Sequence, residues 1–169
     1  MIPPGGHARG HHFVVAVAGP STSGDEQAAF ARAVGKGIAE QGAALLCTGC
    51  GGIAASAAEG AKTAGGLTIG LLPGASAAES APNPSIELAL FTGLGDGSAA
   101  VMATAADGLI AIGGGFGTLA QIGLFLRLKK PVVLLGSWRF AIDDIKPNVP
   151  QVETAAEAVK LIWESITRA

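Results

Sequence analysis

Gly113-Gly114-Gly115-Phe116-Gly117-Thr118 follows a short apolar run (109–112) and precedes a segment with helical patterning. Glycine lets a backbone turn sharply and lets another group approach it closely. A helix that opens straight after such a turn directs unsatisfied N–H groups and the positive end of its dipole at one spot. That arrangement is an anion site, most often for phosphate. The same residues also suit a tight strand-to-helix connection with no ligand. Three further loops combine glycines with hydroxyl or polar residues: GPSTSG (19–24), TGCGG (48–52) and TGLGDGS (92–98). Packing alone does not require all four loops to be small and polar. The expected ligand contacts are therefore Gly19, Ser21, Thr22 and Ser23, then Gly49, Gly51 and Gly52, then Gly113, Gly114, Gly115, Phe116, Gly117 and Thr118. Asp96, Ser98 and Gln121 are additional pocket candidates.

Other reactive residues are few. Cys47 and Cys50 are spaced C-x-x-C, but structural zinc takes four ligands and there is no second pair. They read as two small residues packing at a strand end. His7, His11 and His12 all fall in the first twelve residues and read as a solvated tail, so no metal site is expected. Asp96 and, second, Glu79 are the carboxylates that could act at a pocket, but Asp96 reads first as a cap for the helix beginning near Ser98, since Asp before a helix is common. Asp107 lies at the entry end of its strand and reads as structural. Arg139 follows the sixth strand, with Trp138 beside it as a residue for a ring or a rim contact.

These loops need elements to hold them. Apolar runs predict strands at 13–19, 43–47, 67–72, 86–91, 109–112 and 132–135. Phe30, Val34 and Ile38 mark one face of a helix over 25–40, with Ser23 and Glu26 as its capping box. Further helices are expected over 53–64, 99–106, 119–128 and 155–167. Thr118/Gln121 and Thr154/Glu157 have capping-box spacing for the last two. Residues 72–84 contain three prolines and read as a surface loop or lid, and 141–153 as an irregular crossing. Alternating strands and helices predict a Rossmann-like, doubly wound parallel α/β sheet of about six or seven strands with helices on both faces. In such sheets ligands bind beyond the carboxyl ends of the strands. Residues 1–12 are expected to be a flexible tail and 13–169 one ligand-binding domain.

Composition narrows the class. Of 169 residues, 49% are hydrophobic and only 14% charged, and the net charge is −2. So apolar a chain suggests strands covered on both faces and a buried subunit interface. The helix over 119–128 is apolar almost all round, which predicts a homo-oligomer, dimer or tetramer. No apolar run reaches membrane-spanning length, and the first residues lack the apolar core of a signal peptide, so a cytoplasmic protein without a membrane partner is expected. Arg127, Lys129 and Lys130 are the one basic cluster, placed to complement a helix C-terminus, so no nucleic-acid partner is expected. The first turn is G-x-x-x-x-G and not the dinucleotide G-x-G-x-x-G, and no Gly-Lys-Ser/Thr follows any turn.

GGGFGT after ADGLIAI, with KKPVVLL beyond the helix, resembles the P-G-G-x-G-T signature of the LOG-like superfamily. GPSTSG, TGCGGIAASAAEGAKTAGG, IGLLPG and TGLGDGS fall in the expected order, so the resemblance covers about 13–135. That superfamily, once mislabelled lysine decarboxylases, includes nucleoside-monophosphate phosphoribohydrolases and molybdenum cofactor carrier proteins. The resemblance implies a pocket for a phosphorylated small molecule, either a molybdenum cofactor-like pterin or a nucleotide. The chain departs from the hydrolase pattern P-G-G-x-G-T-x-x-E. Its glutamate falls on Gln121, its proline on Gly113, and an arginine before the fifth strand on Ser98. Cleaving a glycosidic C–N bond needs a carboxylate to stabilise an oxocarbenium-like centre or activate water, which an amide does poorly. The expected protein is a non-catalytic carrier of the carrier-like bacterial branch. The alternative is a divergent phosphoribohydrolase relying on Asp96.

Overall fold

The computed structural model describes residues 12–140 and 148–168. Most of the expected tail, with His7 and His11, and the part of the crossing that contains Lys146 lie outside the described residues. Among the described residues seven strands form one parallel sheet: β1 (Val14–Ala18), β2 (Ala44–Cys47), β3 (Thr68–Leu72), β4 (Leu88–Phe91), β5 (Gly108–Ile112), β6 (Val132–Leu135) and β7 (Gln151–Val152), in the order β4-β3-β2-β1-β5-β6-β7. Five helices alternate with them: α1 (Asp25–Glu40), α2 (Gly52–Thr63), α3 (Ser98–Ala105), α4 (Phe116–Arg127) and α5 (Ala155–Thr167). This is the expected doubly wound α/β fold. The seventh strand is a two-residue pairing with β6 inside what the sequence suggests is an irregular crossing.

Strand residues alternate between two apolar layers, as the two-residue period of a strand requires. Val15, Val17, Leu45, Ile110, Ile112 and Val133 pack with α1, α2 and α5. Ala16, Ala18, Leu46, Leu109, Ala111 and Leu134 pack with α3 and α4, whose Met102, Ile122 and Phe125 are fully buried. Fully burying a side chain of that size contributes about 1.5–3 kcal/mol. Both faces of β1, β2, β5 and β6 are covered, which explains their unbroken apolar runs.

Helices α1 and α2 approach closely because glycines meet backbone there. A Cβ on Gly35 would stand 1.9 Å from the Ala57 carbonyl oxygen, and one on Gly60 2.0 Å from that of Arg32. Gly35→Ala is expected to lose about 2–3 kcal/mol by overpacking. That outweighs the gain of about 1 kcal/mol in helix propensity. A thermal melt with an unchanged or raised midpoint would exclude the close approach.

Several expected local contacts do not form. Gly24 and not Ser23 is the N-cap of α1, and no side chain caps it, so the Ser23/Glu26 box is absent. Helix α4 begins at Phe116, three residues earlier than expected, so Thr118 lies inside its first turn and forms no box with Gln121. The Thr154/Glu157 pair does cap α5: the Glu157 N–H donates to Thr154 Oγ1 at 3.2 Å, and that hydroxyl donates to the Glu157 carboxylate at 3.0 Å. Lys130 serves α3 rather than its own helix, its Nζ donating to the carbonyls of Thr104 and Ala106. Asp107 is structural as expected, its Oδ2 accepting from the Val14 N–H at 2.8 Å.

Candidate functional site

Strand order decides where the glycine loops meet. From β1 the chain builds outward through β2, β3 and β4, then crosses back to lay β5 on the other side of β1. The exits of β1 and β5 therefore diverge at the switch point, where a crevice opens. A cavity of about 690 Å³ lies at these carboxyl ends. Of the expected contacts it is lined by Gly19, Ser21, Gly51, Gly115, Phe116, Gly117 and Thr118, together with Asp96, Ser98 and Gln121. Pro20, Thr48, Cys50, Pro73, Gly95, Ala99 and Ala120 complete it.

Thr22, Ser23, Gly49, Gly52, Gly113 and Gly114 are not among the lining residues, and four of these have packing reasons to be glycine. A Cβ on Gly49 would stand 2.9 Å from the Leu72 side chain, and one on Gly114 3.0 Å from Trp138 Nε1. Gly52 and Gly113 have φ of +62° and +65°, which L side chains rarely adopt. Gly115 and Gly117 differ: a Cβ on either would meet no atom within 4 Å. Inside a helix a glycine costs about 1 kcal/mol against alanine, so Gly117 carries a cost that no packing contact explains.

Among the described residues the donors of the same turn go unused. The first bond within α4 runs from the Leu119 N–H to the Gly115 carbonyl at 2.9 Å, and Gly115 has no side chain to cap the helix. The N–H groups of Phe116, Gly117 and Thr118 precede the first hydrogen-bonded turn, the orphan donors of a helix start. Helices α1 to α4 all begin on a glycine with no side-chain cap, whereas α5 is capped by Thr154.

Asp96 does not cap α3. It stands in a 3-10 turn (Gly95–Gly97) before that helix, whose N-cap is Gly97, and it lines the cavity. Among the described residues it is the one charged side chain in the wall. Gln121, 8% exposed, places its Nε2 3.8 Å from Met102 Sδ, a weak contact for an amide. Glu79 is occupied elsewhere, its carboxylate accepting from the Ala75 N–H at 2.9 Å. Its loop is fastened and not a free lid. Asn83 donates from its side chain to the carbonyls of Gly49 and Cys50, at 3.0 and 2.9 Å, and Lys62 donates to that of Pro84.

The two cysteines divide. Burial pushes the Cys47 thiol from 9.0 up to about 12; the Cys50 thiol adds to the rise and a backbone hydrogen bond at Gly49 opposes it. Cys47 is therefore an inert core residue, and only the half-buried Cys50 reaches the cavity. Thr48 and Pro73 follow their strands directly and Cys50 lies three residues past β2, and position at a strand exit is the one sequence signal that could have added them to the expected set.

The model of the SLOG cluster4 family matches residues 12–165, nearly the whole chain. The chain belongs to that family. Solved structures place this SLOG cluster4 protein beside carriers. A molybdenum cofactor carrier protein from Chlamydomonas reinhardtii superposes with a TM-score of 0.83 at 32% identity, over 94% of this chain and 100% of that one. The molybdenum cofactor binding protein of the phototrophic bacterium Rippkaea orientalis gives 0.81 at 30% identity, over 91% and 97%. An uncharacterised protein of Archaeoglobus fulgidus is 33% identical over 129 residues, 72% of this chain and 83% of that protein. The resemblance to the carrier-like branch of the LOG-like superfamily thus holds for sequence and fold alike. Among the described residues no helix is long and apolar enough to cross a membrane.

Proposed function

We propose that this SLOG cluster4 protein is a non-catalytic binding or carrier protein for a phosphorylated small molecule, a molybdenum cofactor-like pterin or a nucleotide. The phosphate rests against the N–H groups of residues 116–118, and the rest of the molecule occupies the cavity. One observation carries this: at Gly115 and Gly117 the cavity-lining backbone is bare where no protein atom would meet a Cβ. Backbone without a Cβ is what a close-lying phosphate needs. The likeness to molybdenum cofactor carriers supports the same assignment.

The donor set fits carriage. Among the described residues the wall offers backbone N–H groups and the Ser21, Thr48, Ser98 and Thr118 hydroxyls, but no lysine or arginine. Neutral donors bond phosphate without setting a full positive charge against it, which favours release. Asp96 faces the same space as an acceptor for N–H or O–H groups of the ligand. That position is also what favours the alternative, a nucleotide phosphoribohydrolase with Asp96 as its carboxylate. Gln121 and Ser98, where the resembling hydrolases have charged residues, weigh against it.

The working form is a homo-oligomer in the cytoplasm, acting on a small ligand and not on nucleic acid. Leu88, Leu90 and Phe91 of the edge strand β4, followed by Leu94, are 39–56% exposed, and an open apolar edge of that kind calls for a partner. Native mass spectrometry of the protein as isolated tests both halves. The expected spectrum holds an assembly of two or four chains with a phosphate-containing pterin or nucleotide attached. A ligand-free monomer that also fails to take up added nucleotide or pterin phosphate would overturn the reading.

A further inference from the structure

Phe116 is the most exposed large apolar residue described, at 83%, yet it is a wall of the cavity. It is the first residue of α4, so its ring stands beside the N–H groups offered to the phosphate. Trp138 lies behind it, the ring centroids 6.1 Å apart and the planes 34° from parallel. The indole is anchored to the same turn. Its Nε1–H donates to the Gly115 carbonyl at 3.3 Å, and a Cβ on Gly114 would crowd it, standing 3.0 Å from Nε1. Its other side packs against the core layer of α3 and α4. An exposed phenylalanine is thus held by a buried-side tryptophan, and that tryptophan by the anion turn.

We infer that Phe116, braced by Trp138, is the stacking platform on which the planar ring of the proposed ligand rests. The inference rests on the proposed phosphate site. The cavity of about 690 Å³ is far larger than a phosphate needs, so a ring fits in the same space. Asp96 is the one charged side chain of the wall among the described residues. As an acceptor it suits the ring N–H and amino donors of a pterin or purine. Stacking on an aromatic side chain is sequence-tolerant because every such ring has a π face, so Phe116 selects for the class of ring and leaves its identity to the edge contacts.

Affinities of wild type, Phe116→Ala and Phe116→Tyr for AMP, neopterin phosphate and ribose phosphate separate the two readings. Wild type is expected to bind at least one ring-bearing ligand about tenfold or more tighter than ribose phosphate, the size of one aromatic stack. Phe116→Ala should bring that ligand down to the ribose phosphate level and leave ribose phosphate unchanged; Phe116→Tyr should restore the difference. Trp138 emission should change with the ring-bearing ligand and not with ribose phosphate, against the steady signal of Trp163, which packs on Phe13. Equal wild-type affinities, or an equal loss of all three ligands in Phe116→Ala, would overturn the platform while the phosphate site stands. A drop to a smaller assembly in Phe116→Ala with affinities unchanged would make Phe116 a subunit contact and also overturn it. No binding of any of the three to wild type would remove the phosphate site and the platform together.

Discussion

Incubated with AMP, the protein is expected to bind the nucleotide and release no adenine. The residues at issue are Gln121 and Ser98, both buried and both in the cavity wall. The resembling hydrolases have a glutamate and an arginine at these positions. An amide can hydrogen-bond where a carboxylate would, but it cannot stabilise a developing oxocarbenium centre or take a proton from water. Binding should therefore survive while turnover does not. Introducing Gln121→Glu and Ser98→Arg together is expected to be necessary for any gain, since one group acts on the sugar and the other orients the phosphate. Gln121→Glu alone should also cost about 1–3 kcal/mol of stability, because the new carboxyl group would lie half-desolvated against Met102 Sδ, which has no proton to donate to it. Adenine release followed by chromatography decides the matter. Turnover by wild type on the order of 1 per second or faster would sink the carrier reading and make Asp96 the leading catalytic residue.

Gly115→Val is expected to abolish phosphate and nucleotide binding in a chain that still folds. A Cβ at Gly115 meets nothing within 4 Å, and the residue has φ −151°, extended backbone that valine adopts without strain. The added methyl groups would project into the space beside the three free N–H groups and hold a phosphate away from them. A phosphate pushed off its donors loses most of its bonding, so a loss of about a hundredfold or more in affinity is expected, equivalent to about 2.7 kcal/mol. The melting temperature should stay within about 2 °C of wild type, in contrast to Gly35→Ala, where the new Cβ meets backbone. Calorimetric titration with AMP and phosphate, paired with a melt of the same sample, checks both statements. Unchanged affinity in the folded variant would reject the turn as the anion site.

Much of the fold was legible because its signals are local. Strand β6 lies at 132–135, α1 at 25–40 and α5 at 155–167, as their apolar runs and spacing predict. Four of the strands are buried on both faces and are bounded by glycines or prolines, which makes short apolar runs stand out. Strand β7 was invisible because two residues carry no period and Pro150 precedes them. Capping residues were read less well. Ser23 and Thr118 have the right neighbours at the right spacing, yet α1 is capped by Gly24, one residue after Ser23, and α4 by Gly115, three residues before Thr118, because in a glycine-rich turn a glycine takes the cap position in place of the hydroxyl.

By itself the sequence determined that the chain alternates strand and helix, that four strand exits are rich in glycine and small polar residues, and that the charged pair of the hydrolase motif is missing. Those are properties of residue type and order, which burial and backbone freedom read directly. Only the tertiary structure decided which of those residues face one another. The order β4-β3-β2-β1-β5-β6-β7 brings residues 19–21, 48, 50, 51, 73, 95, 96, 98, 99, 115–118, 120 and 121 around one cavity while leaving Gly49, Gly52, Gly113 and Gly114 to packing. It also set Trp138 against Gly114 and fastened the loop at Asn83 to the turn at Gly49. Each of these is a contact across 20 or more residues of chain. No local pattern encodes such a contact, because it depends on which strand lies beside which.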